Sequence, residues 1–281
     1  MQTVLTIAGF DPSSGAGVTA DLKTFAAHGL FATACITALT VQSTMGVRST
    51  HPTAASVVAA TLDCLHADLP PAGIKIGMLA TEDIINEICN YVEKLRLEDS
   101  GNNRTPIVLD PIFVSTSGRE LLDPAAVSVL RDRLLPLVDW VTPNLAELAV
   151  LAGVEVVRRD DLPSASRALQ ARVAQSAAAQ SSCGHRLTVF ATGGHLDPPD
   201  DLLLLPTGET LWLPGQRINT RATHGTGCAL SSALLSRLVL QDSPQQAALA
   251  AKLYVSKAIQ SAEIIGNGIS PINHLWTLPK P

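Results

Sequence analysis

The chain has 281 residues, of which 46% are hydrophobic and 16% charged, so it is too apolar for a disordered protein and has ample material for a packed core. Twenty Lys and Arg against 25 Asp and Glu give a net charge of −5, and nucleic acid is therefore not an expected partner. We expect no signal peptide and no membrane partner, because the first residues lack a charged n-region and no apolar run approaches ~20 residues. The five cysteines form no CxxC pair, which predicts reduced thiols in a cytoplasm rather than disulfides or a zinc site.

Six short apolar runs rich in β-branched residues predict strands that are buried on both faces. In chain order these runs are 3–8, 31–39, 73–77, 106–110, 140–143 and 187–192. Helical patterns lie between most of them, for example at 18–29 and in a segment that opens on Pro52. Strands that alternate with helices in this way predict an α/β fold, in which a mainly parallel central sheet lies between layers of helices.

Two later segments depart from this alternation. Residues 201–214 predict two short strands around a Thr-Gly turn, which would form an antiparallel hairpin at the edge of the sheet. The Ala-rich run at 168–180 predicts a surface helix. Because the chain shows neither internal repeats nor a clear domain boundary, we expect one domain over residues 1–281.

Polar residues and glycines follow the predicted strands. Right-handed crossovers place the C-terminal ends of parallel strands at one edge of the sheet, where ligands bind. A site for a small polar ligand is therefore expected at this edge. The residues that follow the strands are Gly9, Thr40, Gln42, Gly77, Met78, Asp110, Asn144, Glu147, Gly193, Gly194 and His195.

The stretch GAGVTA at 15–20 matches a dinucleotide-binding fingerprint, but its surroundings do not. Five residues separate Gly9 from Gly15, and no acidic residue lies between Asp21 and Asp63 to hold a ribose hydroxyl. We therefore do not expect NAD, and the missing GxxxxGK[ST] pattern excludes a P-loop. Two interpretations stay open: a loop whose backbone approaches a ligand closely, and a plain turn from strand to helix.

Asp110, Asn144 and Glu147 follow neighbouring strands and suggest a cation site. Asn144 and Glu147 are spaced i, i+3 in the first turn of a helix, so that both can face one point. Carboxylate and amide oxygens at one edge suit Mg²⁺, which uses few protein ligands and binds together with substrate phosphates. Taken alone, Asn144 is as well explained as an N-cap, with Glu147 completing a capping box.

The segment THGTGCALSSALL at 223–235 places a cysteine where a glycine-rich turn becomes a helix. The backbone amides of Gly225, Thr226, Gly227 and Cys228 would be the unpaired donors of the helix N-terminus and would form an anion hole. The same field favours thiolate, so we expect a lowered pKa for Cys228 and a role as general base toward a hydroxyl that attacks a phosphoryl group. The alternative is a small apolar cysteine packed under the helix.

The other cysteines and the histidines beside glycines carry weaker signals. His195 and His224 could each touch phosphate, but loop histidines are more often solvated or bonded to backbone, and we do not predict that they are catalysts. A structural role is expected for the remaining thiols, which are Cys35, Cys64, Cys89 and Cys183.

Taken together, these motifs resemble the hydroxymethylpyrimidine and phosphomethylpyrimidine kinases of thiamine biosynthesis, within the ribokinase-like superfamily. The resemblance runs in order from residue 3 to the segment GNGISPINHLW near the C-terminus. The segments that carry it are LTIAGFDPSSGAGVTADLKTFAAHG, ITALTVQSTMGV, IKIGMLAT, VLDPIFVSTSGRELLDPAAV, WVTPNLAEL, TGGHL and THGTGCALSSA.

The resemblance implies a ribokinase-like three-layer α/β/α sandwich and ATP-dependent phosphorylation of 4-amino-5-hydroxymethyl-2-methylpyrimidine and of its monophosphate. It places Cys228 as the base and Gln42 against the aminopyrimidine, because a carboxamide pairs a donor with an acceptor. It also implies Mg²⁺, a homodimer, and ATP as co-substrate. The further positions that it implies are Gly9, Ala16, Asp21 and Met78 for the substrate, Asp110 and Glu147 for the metal, and Asn144, Gly194, Thr226 and Gly227 for ATP and phosphate.

One residue departs from the family pattern. The family commonly has lysine before GGH, whereas this chain has Thr192, so a cation expected near the ATP phosphates is missing. Arg221 and Lys75 are the candidates to replace it. Two alternative functions stay open: a pyridoxine or pyridoxal kinase, alone or as a dual activity, and a ligand-binding homologue without turnover.

Overall fold

The computed structural model describes residues 1–99, 104–115, 118–123, 125–176 and 187–278. A nine-stranded sheet runs through the described chain, and a separate pair of short strands lies beside it. In chain order the strands are β1 (Thr3–Phe10), β2 (Phe31–Ser43), β3 (Gly46–Pro52), β4 (Ile74–Ile76), β5 (Ile107–Leu109), β6 (Trp140–Val141), β7 (Thr188–Ala191), β8 (Asp201–Leu204), β9 (Thr210–Leu213), β10 (Ala222–His224) and β11 (Ser270–Pro271).

Helices connect most of these strands. They are α1 (Gly17–Ala27), α2 (Ala55–Asp68), α3 (Glu82–Glu98), α4 (Ala126–Val129), α5 (Leu145–Ala152), α6 (Leu162–Gln175), α7 (Thr226–Val239) and α8 (Pro244–Gln260), with short irregular turns at Leu130–Leu134, Leu135–Leu137 and Arg159–Asp161. The helices of the described segments are all too short or too polar to span a bilayer.

The sheet has the order β3-β2-β1-β4-β5-β6-β7-β8-β9. Its six central strands, from β2 to β7, pair in parallel, while β3 at one end and β8 and β9 at the other pair antiparallel. The predicted mainly parallel sheet and its edge hairpin at 201–214 are therefore confirmed. The C-terminal ends of the parallel strands meet at one edge, as right-handed crossovers require.

The core lies on both faces of the sheet, because successive side chains of a strand point to opposite faces. Leu5 and Ile7 of β1 pack into one cluster, which is covered by α2, α3, α5 and α6. Val4 of the same strand packs into the other cluster with Phe25 of α1, and this second cluster is covered by α1, α7 and α8. The structure therefore has the predicted three layers.

Two details, the position of Pro52 and the strand β3, differ from the sequence prediction. Pro52 does not open α2 but ends β3, where it pairs with Ala38, and α2 begins at Ala55. Proline is tolerated there because β3 is an edge strand, and the polar sequence GVRSTHP gave no strand signal. Of the predicted surface helix at 168–180, the part up to residue 175 belongs to α6, and residues 177–180 lie outside the described part of the chain.

Candidate active site

The start of α7 lies directly against the turn between β1 and α1. Gly225 has a φ of +87°, and a Cβ on it would lie 1.8 Å from the carbonyl oxygen of Gly15. Only glycine combines this left-handed backbone with such a close approach. The two glycine-rich segments noted in the sequence are therefore packed together. Residues 15–20 thus approach another backbone closely, and that backbone belongs to the start of α7.

Asp11, which the sequence analysis did not select, organises this junction. Its Oδ1 accepts hydrogen bonds from the amide and hydroxyl of Ser13, at 2.8 and 2.7 Å. Its Oδ2 accepts from the amide of Ala16 at 2.9 Å and lies 2.7 Å from His224 Nε2. Burial alone would raise the pKa of Asp11, but these hydrogen bonds lower it below its usual value. An aspartate two residues before a serine in a Gly-rich turn is an Asx-turn signal that could have identified it.

The N-terminus of α7 has the geometry of an anion hole. Gly225 is the N-cap residue, and no side chain of the described residues caps the helix there. Gly227 is exposed, and a Cβ built on it would lie 3.7 Å from Asp110 Oδ2. The structure thus brings together the predicted amides of 225–228 and the predicted carboxylate of Asp110. Unpaired amides at the positive end of a helix suit phosphate groups.

A buried ion pair lies in the layer between α7 and the sheet. Lys75 Nζ is 3.1 and 3.0 Å from the two carboxylate oxygens of Asp21, and both side chains are fully buried. Asp21 also accepts hydrogen bonds from Thr6 at 2.6 Å and from Ser232 at 2.8 Å. Ser232 follows Cys228 by four residues on α7, so the two side chains lie on the same face of this helix. The ion pair of Lys75 and Asp21 therefore packs against the face that carries the thiol. Asp21, predicted to contact substrate, has its oxygens occupied by these protein partners.

The predicted lowering of the Cys228 pKa is wrong. The thiol is 6% exposed, and burial raises its pKa to about 12 although the charge of Lys75 acts in the opposite direction. Asp21 and Asp110 add to the increase. Desolvation and the two carboxylates outweigh the charge of Lys75 and the backbone hydrogen bond of Gly17, which both lower the pKa.

Asp110 and Glu147 form a second buried group at the ends of β5 and β6. Burial raises the pKa of Asp110 to about 6, and burial followed by the charge of Asp110 raises the pKa of Glu147 to about 8. Ser231 Oγ lies 3.3 Å from Asp110 Oδ2. Glu147 and Asn144 also make the capping box that the sequence left open, with bonds of 2.8 and 3.0 Å. The capping interpretation is therefore correct, and the Glu147 carboxylate also takes a backbone hydrogen bond from Phe113, which lowers its pKa.

Two buried carboxylates with raised pKa values, one of them raised in part by the charge of the other, fit a divalent cation, which would offset the repulsion. In the part of the chain that the structure describes, no cluster of three or more His, Cys, Asp or Glu forms a metal site. Mg²⁺ combines few carboxylates with water and phosphate oxygens, so two carboxylates can serve it.

The loop after β7 begins with Thr192, which stands where the family commonly has lysine. The amide of Thr192 donates to Pro143 O at 2.8 Å, and Thr192 pairs with Asn144, so the loop lies beside the start of α5. Lys75 cannot supply the missing charge, because it is buried with Asp21. Arg221 instead lies 3.4 Å from the carbonyl oxygens of Gly266 and Asn267.

A different cation lies at this loop. Arg217, which no sequence signal selected, donates to Gly194 O at 2.8 Å and to Leu196 O. The Cα of Gly194 faces open space, and His195 is exposed. Of the predicted phosphate-side residues, Gly194 thus contacts an exposed guanidinium, and Asn144 pairs with Thr192 of the same loop.

The other predicted substrate residues lie in or near the turn that follows β1. A Cβ on Gly9 would lie 2.8 Å from Met78 Sδ, so these two residues are in contact. Ala16 is the N-cap residue of α1. Gln42 Nε2 lies 3.2 Å from His224 Nε2. Gln42 and His224 line a small cleft together with Ser43, Thr44, Gly46, Ser115 and Ile269.

The fold and the site define a small-molecule phosphotransferase with a ribokinase-like architecture, and comparison with known proteins agrees. The family model for phosphomethylpyrimidine kinase matches residues 11–273. The hydroxymethylpyrimidine/phosphomethylpyrimidine kinase of Haemophilus influenzae is 37% identical over 279 residues, which cover 98% of this chain and 97% of the relative. The chain therefore belongs to the phosphomethylpyrimidine kinase family, and the resemblance found in the sequence is confirmed.

Solved structures support the same assignment. Phosphomethylpyrimidine kinase from Clostridium difficile is 32% identical, with a TM-score of 0.74. The match covers 92% of this chain and 100% of that chain. Pyridoxal kinase from Staphylococcus aureus in complex with AMP-PCP and pyridoxal is 27% identical, with a TM-score of 0.80 over 98% of this chain and 94% of that one. The predicted ribokinase-like fold is confirmed.

The buried ion pair generates a prediction about stability. Lys75→Met should lower the free energy of unfolding by about 3–5 kcal/mol, because Asp21 would be left buried without its counter-charge. Lys75→Met combined with Asp21→Asn should recover most of this loss. Urea unfolding followed by circular dichroism measures both. If the double variant were no more stable than Lys75→Met alone, the two side chains would not act as a pair.

Proposed function

We propose that this protein transfers a phosphoryl group from ATP to the hydroxymethyl group of 4-amino-5-hydroxymethyl-2-methylpyrimidine, and then phosphorylates the monophosphate, as a step of thiamine biosynthesis. The observation that carries the proposal is the meeting of three features: the uncapped N-terminus of α7, the carboxylate of Asp110, and the cleft that holds Gln42. Family membership and the name of the Haemophilus influenzae relative support the substrate.

ATP is the phosphoryl donor in this proposal. The kinase family and the AMP-PCP complex of the Staphylococcus aureus neighbour support it, since AMP-PCP is an analogue of ATP. The amides of Thr226, Gly227 and Cys228 would hold the transferred group, because fixed donors stabilise charge without reorganising. Asn144 and Gly194 would lie toward the remaining phosphates, with Arg217 supplying the charge that Thr192 lacks.

Asp110 and Glu147 would hold Mg²⁺. A bound Mg²⁺ supplies neutralisation of phosphate charge in phosphoryl transfer. In its absence, the two carboxylates of this chain are forced toward their protonated forms, as their raised pKa values of about 6 and about 8 indicate. The capping box keeps Glu147 in place, since Asn144 N donates to one of its oxygens.

Cys228 would accept the proton of the substrate hydroxyl. Its thiol is mostly protonated at neutral pH because the pKa is about 12, so the base acts through a small thiolate fraction. In a loose phosphoryl-transfer transition state the substrate hydroxyl has lost little of its proton, so positioning and electrostatic stabilisation account for most of the catalysis. Lys75 is the buried positive charge that favours the thiolate.

Pyridoxal is the second candidate substrate, because the Staphylococcus aureus neighbour is a pyridoxal kinase. Gln42 favours the aminopyrimidine, since a carboxamide matches a ring nitrogen beside an exocyclic amine better than a phenolic oxygen.

We further propose one domain over residues 1–281, a homodimer and a cytoplasmic location. Light scattering on the purified protein should give twice the mass of the chain.

An ADP-release assay with ATP and Mg²⁺ tests the proposed function. It compares the hydroxymethylpyrimidine, its monophosphate and pyridoxal at equal concentrations. Turnover on both pyrimidines is expected. Turnover on pyridoxal alone would transfer the assignment to a pyridoxal kinase, and ATP binding without ADP formation on any of the three would indicate a non-catalytic ligand-binding protein.

Cys228→Ala should lower kcat by about 10²–10⁴, the usual contribution of a general base, with little change in the KM for ATP. In the native protein, kcat/KM for the pyrimidine should rise about tenfold per pH unit between about pH 8.5 and 9.5, because the thiolate fraction grows until the pH reaches the pKa. The variant should lack this rise. Native turnover in the variant, or the same rise in its pH profile, would show that Cys228 is not the base.

Asp110→Asn should raise the melting temperature without Mg²⁺, because a buried carboxylate with a raised pKa destabilises the fold when it is ionised. The stabilisation that Mg²⁺ and ADP add to the native protein should be largely lost. Thermal unfolding with and without Mg²⁺ measures both effects. Glu155→Gln, an exposed carboxylate, serves as the matched control. Equal Mg²⁺ stabilisation in Asp110→Asn and native protein would remove Asp110 from the metal site.

A further inference from the structure

His224 lies between Asp11 and Gln42. Its Nε2 is 2.7 Å from Asp11 Oδ2 and 3.2 Å from the nearer end of the Gln42 carboxamide. His224 is 8% exposed and Asp11 3%, so water does not compete for these contacts. The ring is also held sterically, because a Cβ on Gly15 would lie 2.2 Å from His224 Cδ2. One ring nitrogen therefore serves two partners in a fixed position.

The identity of one partner decides the proton position on His224. Asp11 accepts hydrogen bonds from Ser13 and Ala16, and its pKa is held below the usual value, so it is a carboxylate. A carboxylate only accepts hydrogen bonds. His224 Nε2 must therefore carry a hydrogen and donate it toward Asp11. The Gln42 atom that faces the same N–H must then be an acceptor, which is the amide oxygen rather than the nitrogen.

The contact between Thr40 and the other end of the Gln42 carboxamide supports the same orientation, with the oxygen toward His224. Thr40 Oγ1 donates to Phe10 O at 3.0 Å and lies 3.1 Å from the far end of the Gln42 carboxamide, placed as Oε1. A hydroxyl has a single hydrogen, so Thr40 cannot donate to both. Exchanging the amide oxygen and nitrogen, which have nearly the same shape, lets Gln42 donate to Thr40 and accept from His224. The Thr40 hydroxyl, the Gln42 N–H beside it and the His224 N–H then each face an acceptor.

We propose that Asp11 and His224 are positioning residues that fix the direction of the Gln42 carboxamide and so determine which ring the protein selects. In this direction, Gln42 keeps one N–H and one oxygen lone pair free on the side of the cleft. That pair complements a ring whose acceptor nitrogen lies beside an exocyclic amine. The inference rests on the proposed function and names the residues that set its substrate class.

The same contact couples ring selection to phosphoryl transfer. His224 directly precedes Gly225, the N-cap residue of α7, and Asp11 bonds to the amide of Ala16 at the start of α1. The network therefore links the cleft for the ring to the amides that would receive the phosphoryl group. A ring bound in register with Gln42 is held at a fixed place relative to the anion hole.

A double-mutant cycle tests the inference. The dissociation constants of the hydroxymethylpyrimidine and of pyridoxal are measured by calorimetry for the native protein, His224→Phe, Gln42→Met and the double variant. Phe keeps the ring and removes the donor. His224→Phe should lower the preference for the pyrimidine by about tenfold, the usual effect of one buried hydrogen bond. In the Gln42→Met background the same change should alter the preference by less than about twofold, because His224 acts through Gln42.

Equal effects of His224→Phe in both backgrounds would overturn the inference, since His224 would then act without Gln42. His224→Gln guards against a folding defect, because its side-chain N–H can replace the lost donor. Recovery of the preference in His224→Gln, at unchanged melting temperature, supports positioning, whereas a preference as low as in His224→Phe would overturn it. Failure of the native protein to release ADP with the pyrimidine would reject the proposed function separately from these binding ratios.

Discussion

The contact between the start of α7 and the turn that follows β1 is the constraint on which the site depends. These segments are more than 200 residues apart in sequence, and His224 and Asp11 join them with a buried hydrogen bond of 2.7 Å. The backbones meet so closely that Gly225, with a φ of +87°, has no room for a side chain. This contact places the amides of α7 beside Asp110 on one side and beside Gln42 on the other. Without it, the phosphoryl and ring sites would not share an edge.

The buried charged side chains beside the site lower the stability of the fold relative to an apolar core. Lys75 and Asp21 are fully buried, and a well-packed apolar pair is often as stable or more stable. In the same region burial raises the pKa values of Asp110 and Glu147, and the charge of Asp110 adds to the increase at Glu147. A buried cation whose charge acts on a cysteine, and two carboxylates with raised pKa values, form the kind of perturbed cluster that is common at functional sites.

The sequence predicted the sheet because buried parallel strands appear as short apolar runs, and their order determines which residues meet at the edge. It missed β3, whose polar residues lie at an exposed edge. It found the helix N-terminus before Cys228 but gave the wrong sign for the thiol pKa, because burial and the distant residues Asp21 and Asp110 are set by tertiary packing. Arg217 was also beyond reach, since its contact with Gly194 depends on two loops meeting.

The most direct test of this account is a crystal structure with the hydroxymethylpyrimidine, Mg²⁺ and AMP-PCP bound together. The account predicts the hydroxymethyl oxygen within about 3–3.5 Å of Cys228 Sγ, as a near-attack geometry requires. It also predicts the terminal phosphate on the amides of residues 226–228 and the aminopyrimidine edge on Gln42. A hydroxymethyl group directed away from Cys228, or a phosphate bound elsewhere than at the start of α7, would contradict it.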